Sequence, residues 1–270
     1  QRVLGDFAFE SGLAFDLEFI GDDHALLQSA VDDFWRRYIT TADHNLVRYL
    51  LAQRQSPESL LKSIRPLLGK PYLHYLPIDD VDVDKVHQQA KTQFENLKML
   101  WSDEQDKITA TLQNRALLKG NMYRTKSVEK WLLLLEELLS YKDVPLKLFT
   151  DFDRFTPIRL QDALKADQQL PELAFWDASK QLQEMVEKVQ AAQAIQYQHL
   201  RYALLIELLS TLKKEKQQQQ VQSYDDLLLN LEQALEGSRG DWLISRLRQQ
   251  YPAALIDEFQ DTDPVQYASF

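Results

Sequence analysis

The chain has no cysteine. This excludes a disulfide framework and any zinc or iron–sulfur centre built on thiolates, and it suits a reducing, cytoplasmic setting. Glycine and proline are scarce, at 7 and 9 of 270 residues, which disfavours a turn-dense all-β architecture. No run of 18 apolar residues occurs, so nothing reads as a membrane span. The first residues lack the charged start and apolar core of a secretion signal. Positive charge is not in excess: 31 Lys and Arg against 41 Asp and Glu leave a net charge of −10. A dedicated nucleic-acid module is usually basic, so any contact with DNA must rest on local basic patches rather than on a general field. Common catalytic signatures are missing too. The histidines at 24, 44, 74, 87 and 199 are scattered, with no H-E-x-x-H, and there is no serine nucleophile elbow. No G-x-x-x-x-G-K-S/T phosphate loop is present; Gly69-Lys70 lacks the upstream glycine and runs into Pro71.

What remains is a composition with 44% apolar and 27% charged residues, ordinary for a soluble protein and sufficient for one large or two modest cored domains. Helical spacing appears first at Leu26, Leu27, Ala30, Val31, Phe34, Trp35 and Tyr38, behind the acidic pair Asp22-Asp23. Arg36-Arg37 on this segment is read as a solvated or salt-bridged face. Helices are expected at about 43–54 and 57–68, the second with Ser56 as cap, Pro57 at its first position and Gly69 as its stop. Residues 82–115 contain neither Pro nor Gly, and Val86, Ala90, Phe94, Leu97, Leu100, Trp101, Ile108 and Leu112 form a stripe. At about 1.5 Å per residue this helix would be on the order of 50 Å long. A second uninterrupted helix is expected from Phe175 to about Gln218. Its stripe of Leu182, Val186, Val189, Leu200, Leu204 and Leu208 should pack against the first long helix. The aromatic spread Phe149, Phe152, Phe155 is expected to be core rather than a base-stacking platform. Lys213, Lys214 and Lys216 are accounted for by the dipole at the end of the long helix.

Between the long helices the character changes. From Arg115 to Lys130 five basic residues face one acid, with Asn121, Tyr123 and Ser127 among them. Lys119, Arg124, Lys126 and Lys130 are the candidate DNA contacts. A turn of this kind offers cations and backbone N–H groups to sugar and phosphate without reading bases. The alternative is a solubilising loop with no partner.

The most specific chemistry lies near the end. Ala253-Ala254-Leu255-Ile256 runs into Asp257-Glu258, then a polar turn, then Asp263-Pro264. The apolar run reads as a buried parallel strand over 253–257. The two carboxylates then stand at its carboxyl end, where open α/β sheets bind ligands. Thr262 or Asp263 can cap a following helix with Pro264 at its first position. Strand, acidic pair, turn and helix is the layout of a Walker B element.

The run from Asp257 to Tyr267, Asp-Glu-Phe-Gln-Asp-Thr-Asp-Pro-Val-Gln-Tyr, resembles motif II of the UvrD/Rep group of superfamily 1 helicases. Its Asp-Pro-x-Gln-Tyr ending looks most like the RecB type, the beta chain of exodeoxyribonuclease V. Ser223-Tyr224-Asp225-Asp226-Leu227-Leu228 is similar to the stretch where such chains re-enter the motor domain. Ser223 and Asp226 also make a plain capping box. Phe9-Glu10-Ser11-Gly12-Leu13 resembles the sequence where these chains leave that domain, and Asp32-Asp33-Phe34-Trp35-Arg36-Arg37 also looks RecB-like.

The resemblance implies a mainly α fold. A large elongated helical insertion over about 21–220 would stand between two pieces, 1–20 and 221–270, of a RecA-like α/β motor domain. It implies a longer parent acting as an ATP-dependent 3′-to-5′ DNA helicase and exonuclease subunit in double-strand break repair, with its nuclease domain beyond Phe270. Asp257 would be the magnesium ligand, Glu258 the catalytic base and Gln260 a sensor of the nucleotide state. Tyr224 and Asp225 would lie near the single-strand track. Mg2+ and ATP would be the parent's cofactors, with neither expected on this chain alone and no ATP hydrolysis by it. The implied partners are a duplex end, single-stranded DNA, and RecC- and RecD-like subunits, in the cytoplasm and with no membrane. Two alternatives stay open: a non-enzymatic DNA-binding or protein-docking helical arm, and another UvrD- or AddA-type helicase, most of which differ at Asp263-Pro264.

Overall fold

The computed structural model describes residues 18–70, 72–253 and 259–262, together with Pro264 and Tyr267. Among the described residues the fold is mainly α, with nine α-helices and two two-residue strands. In chain order these are β1 (Glu18–Phe19), α1 (His24–Thr41), α2 (His44–Ala52), α3 (Pro57–Ile64), α4 (Val83–Gln113), α5 (Thr125–Leu139), α6 (Pro157–Ala163), α7 (Ala174–Gln218), β2 (Val221–Gln222), α8 (Tyr224–Glu236) and α9 (Gly240–Gln250). The chain divides into two compact units. One comprises residues up to Pro77 and from His199 onward; the other, here the central unit, is Ile78–Gln198.

The central unit is organised by α4. Asp82 caps it, accepting from the Lys85 N–H at 2.9 Å, and the expected stripe is the buried one: Ala90, Phe94, Leu97, Trp101, Ile108 and Leu112. Val128, Trp131, Leu135 and Leu138 of α5 fill the same core, as do Phe175, Leu182, Val186 and Val189 from the first part of α7. The Trp101 and Phe175 rings meet at 5.8 Å, so the two long helices do pack together here. Phe152 and Phe155 lie on a 3-10 turn and are 2% and 0% exposed. Phe155 touches Phe149, Phe152 and Phe175 at 6.0–6.2 Å. Those aromatics are therefore core, as their short spacing suggested.

In the other unit, α1 buries Leu27, Ala30, Val31 and Phe34, while Tyr38 stacks on Phe34 at 5.4 Å and stays partly exposed. Ser56 and Ser59 form a capping box at α3, with Pro57 at the first position. Gly69 takes φ 71°, the left-handed conformation a side chain disfavours. At Gly240 a Cβ would fall 1.8 Å from the Leu235 carbonyl oxygen, so the turn into α9 demands glycine. Strands β1 and β2 pair in parallel, Glu18 with Val221 and Phe19 with Gln222. The chain thus returns after α7 to run beside the segment that entered α1.

Candidate functional site

The basic segment begins where α4 ends. Asn114 folds its side chain back to accept from the N–H groups of Ala116 and Leu117, at 2.9 and 3.2 Å. Leu118 then bridges Leu164 in antiparallel fashion, with Lys119 N–H donating to the Ala163 carbonyl at 2.8 Å and Lys165 N–H to Leu117 at 3.0 Å. The Lys165 ammonium adds a bond to the Arg115 carbonyl at 2.6 Å. The Arg115 guanidinium donates to Thr125 Oγ1 at 2.7 Å and passes close over Gly120. This turn is therefore cross-braced on both sides.

On that frame Lys119 donates its ammonium to the Asp162 carbonyl at 2.8 Å. Arg124, the N-cap residue of α5, and Lys126 and Lys130, one helical turn apart on α5, are exposed. Among the described residues these three cations have neither an ion pair nor a side-chain hydrogen bond. Tyr123 behaves differently. It is 2% exposed, its hydroxyl donates to the Arg154 carbonyl at 2.8 Å, its ring meets Trp131 edge-on at 5.5 Å, and burial pushes its phenol pKa up. Tyr123 fixes the turn and has no face free for a base. The arrangement can hold a phosphate backbone, and with Tyr123 buried it offers no aromatic platform for a base. Arg36 and Arg37 pair with Asp33 and Glu207, the salt-bridged face that was expected.

A second cluster stands at the carboxyl ends of β1 and β2. Lys216, near the end of α7, is 9% exposed. Its ammonium donates to Asp23 Oδ2 at 3.0 Å, Ser223 Oγ at 3.0 Å and Asp226 Oδ2 at 2.8 Å. Asp226 also accepts from the Ser223 backbone N–H at 2.7 Å and closes the capping box of α8. Beside it lies a cavity of about 340 Å³ walled by Leu27, Leu68, Leu209, Leu212 and Leu229. The helix dipole, sufficient for Lys213 and Lys214, does not account for Lys216. No sequence signal joins it to Asp23, because each acid is already explained by its own helix start.

Burial works against both charges, yet the hydrogen bonds outweigh it. The Lys216 pKa is held above its ordinary 10.5 by Asp226 and Asp23, and that of Asp226 below its ordinary 3.8 by Lys216 and Ser223. The unfolded chain therefore takes up a proton at Asp226 before the folded one does. The contribution of Asp226 is whole above pH 3.8 and is lost as pH falls through the depressed folded value. That of Lys216 is whole below pH 10.5 and is lost as pH rises through the raised folded value. Urea midpoints of the chain and of Asp226→Asn should converge in acid and separate to a constant gap at neutral pH. A gap that does not change with pH would contradict this assignment.

The other positions singled out from the sequence fall nearer the end of the chain. The backbone of Tyr224 and Asp225 forms the first turn of α8; their side chains lie outside the described residues. Asp257, Glu258 and most of the expected strand fall within residues 254–258, also outside them. Gln260 is exposed on a 3-10 turn, Phe259–Asp261, closed by the Thr262 N–H to the Phe259 carbonyl at 3.1 Å. Among the described residues no three His, Asp or Glu side chains converge as metal ligands, and no helix is long and apolar enough to cross a membrane.

The UvrD/REP helicase N-terminal domain family matches residues 80–270. Across the whole chain the sequence is 29% identical to the RecBCD enzyme subunit RecB of Escherichia coli strain K12 and 27% identical to that of Haemophilus influenzae. A 61-residue stretch is 43% identical to the RecB subunit of Mycolicibacterium smegmatis. The chain spans 22% and 24% of the length of the first two relatives and 6% of the third, where the match takes in 23% of this chain. With a single domain family covering well over half its residues, the chain belongs to the UvrD/REP helicase family and is of the RecB type.

Proposed function

We propose that this chain is part of an ATP-dependent DNA helicase subunit of recombination and double-strand break repair, and that its helical middle, about 21–220, is an arm that grips duplex DNA by its phosphates. The observation that carries the arm reading is the braced turn with Arg124, Lys126 and Lys130 exposed and unpaired beside Lys119, in a protein of net charge −10. A turn already held in place limits the ordering cost of meeting phosphate to the side chains themselves. Residues 221–270 would belong to the motor. Asp257 and Glu258 are hard oxygen donors of the kind Mg2+ takes, Asp257 as ligand and Glu258 as base, with Gln260 following the nucleotide state and Tyr224 and Asp225 beside the single strand. The chain has no phosphate loop, so the cradle for ATP would come from residues outside these 270. RecC- and RecD-like subunits, a nuclease domain and a cytoplasmic setting belong to the same reading.

Duplex binding tests it. Changing Lys119, Arg124 and Lys126 together to Ala should weaken affinity and lower the slope of log K against log salt by roughly 0.9 for each phosphate that is no longer neutralised. Fluorescence anisotropy with a short labelled duplex over a salt series gives both quantities. Unchanged affinity would favour the second reading, a protein-docking arm.

A further inference from the structure

The geometry points to Lys216 as a positioning residue that makes the two strand-to-helix turns, β1 to α1 and β2 to α8, move as one piece. It thereby sets the first turn of α8, which carries Tyr224 and Asp225. The inference rests on reading β1 and β2 as the places where the helical insertion leaves and rejoins the motor.

Three observations carry it. First, an ammonium has three N–H donors and no acceptor, and Lys216 spends all three, one on the α1 turn at Asp23 and two on the α8 turn at Ser223 and Asp226. A lysine serving only the end of α7 would leave its head in solvent; this one is 9% exposed. Second, Asp23 is the N-cap residue of α1, yet its side chain caps nothing. An aspartate there ordinarily accepts from the second or third N–H of its helix. Here Asp22 accepts the His24 N–H instead, at 2.9 Å, and Asp23 gives Oδ2 to Lys216 at 3.0 Å, with Oδ1 at a looser 3.9 Å from Arg65. Third, β1 and β2 are two residues each, and so short a pair does not hold its own register. The lysine stands at the ends of both strands and supplies the missing restraint.

Amide hydrogen exchange on the 270-residue chain tests this through three reporters. Leu27 N–H donates to the Asp23 carbonyl, Leu227 N–H to Ser223 and Leu60 N–H to Ser56, so they report the starts of α1, α8 and α3. In Asp226→Asn, the Leu227 and Leu27 amides should both exchange at least about tenfold faster, although Asp226 bonds nothing on α1, and Leu60 should not change. Asp23→Asn should give the same joint response from the other side. Acceleration confined to the substituted turn would mean two independent caps sharing a lysine, and would overturn the proposal. So would joint acceleration of all three amides, which is general loosening, or no acceleration at all. These mild variants keep the test open if Lys216→Met fails to fold. The measurement needs neither nucleic acid nor nucleotide. Unchanged duplex affinity in the earlier experiment would remove the DNA-arm reading and leave this result standing.

Discussion

Phe155→Ala should cost the central unit about 3–5 kcal/mol, at the upper end for core truncations. The ring is 0% exposed, and its neighbours come from separate places in the chain: Phe149 before the 3-10 turn, Phe152 on it and Phe175 at the start of α7. Phe175 in turn packs on Trp101 and Trp176. A gap left among rigid rings closes poorly, because planar side chains cannot bend into it. Removing Phe155 also forfeits its edge-on or tilted packing against those rings, each pair worth about 0.5–1.5 kcal/mol beyond area. Urea unfolding followed by exchange at α4 amides would read the loss in the central unit alone. A cost below about 1 kcal/mol would mean that the aromatic row is not the centre of this core.

Lys216→Met should be the most damaging change in the other unit, at about 3 kcal/mol. Methionine approximates the lysine stem but not its charge, so Asp226 loses its ion-pair partner while Asp23 keeps only Arg65, 3.9 Å away; both carboxylates remain partly solvated, which keeps the figure at the low end. The double variant Lys216→Met with Asp226→Asn should recover part of the loss, since the buried charge goes with its partner. Acid separates the cases further. The wild-type chain loses stability as Asp226 is protonated, whereas Lys216→Met gains relative to it, because protonation relieves the like-charge pair. Simple additivity of the two substitutions, measured from urea midpoints, would show that the groups are not coupled.

The parts of this fold that the sequence made legible are those in which cause and effect lie within a few residues. The α4 stripe is a matter of 3.6-residue periodicity, the start of α3 of a serine cap followed by proline, and the start of α8 of a hydroxyl three positions from its reciprocal partner. Phe152 and Phe155 were legible as core from spacing alone. The Lys216 cluster was not. Lys216, near the end of α7, and Asp23, the N-cap residue of α1, are 193 residues apart, and in the sequence each is met by a local reading, a helix end or a helix start, that the structure replaces. Bracing of the basic turn was hidden for the same reason: Lys119 and Arg115 were visible as cations, but the bonds that hold their turn run to residues 162–165. The division within α7 follows no glycine or proline, because the helix is continuous through it. Motif II carried the family in its residue types, independently of any coordinates.

The parallel pairing of β1 with β2 has a consequence for how this protein can change over generations. Two parallel neighbours need a crossover of about a dozen residues or more. Here the crossover is everything from Ile20 to Gln220, far beyond that minimum, so its length is not fixed by the closure of the sheet. Because closure entropy grows only as the logarithm of length, whole helices between those points can be gained, trimmed or exchanged between relatives at little thermodynamic penalty to the strands. The short ladder, with the Asp23 turn and the Lys216 end of α7, then marks the two ends between which the length of chain is free to change.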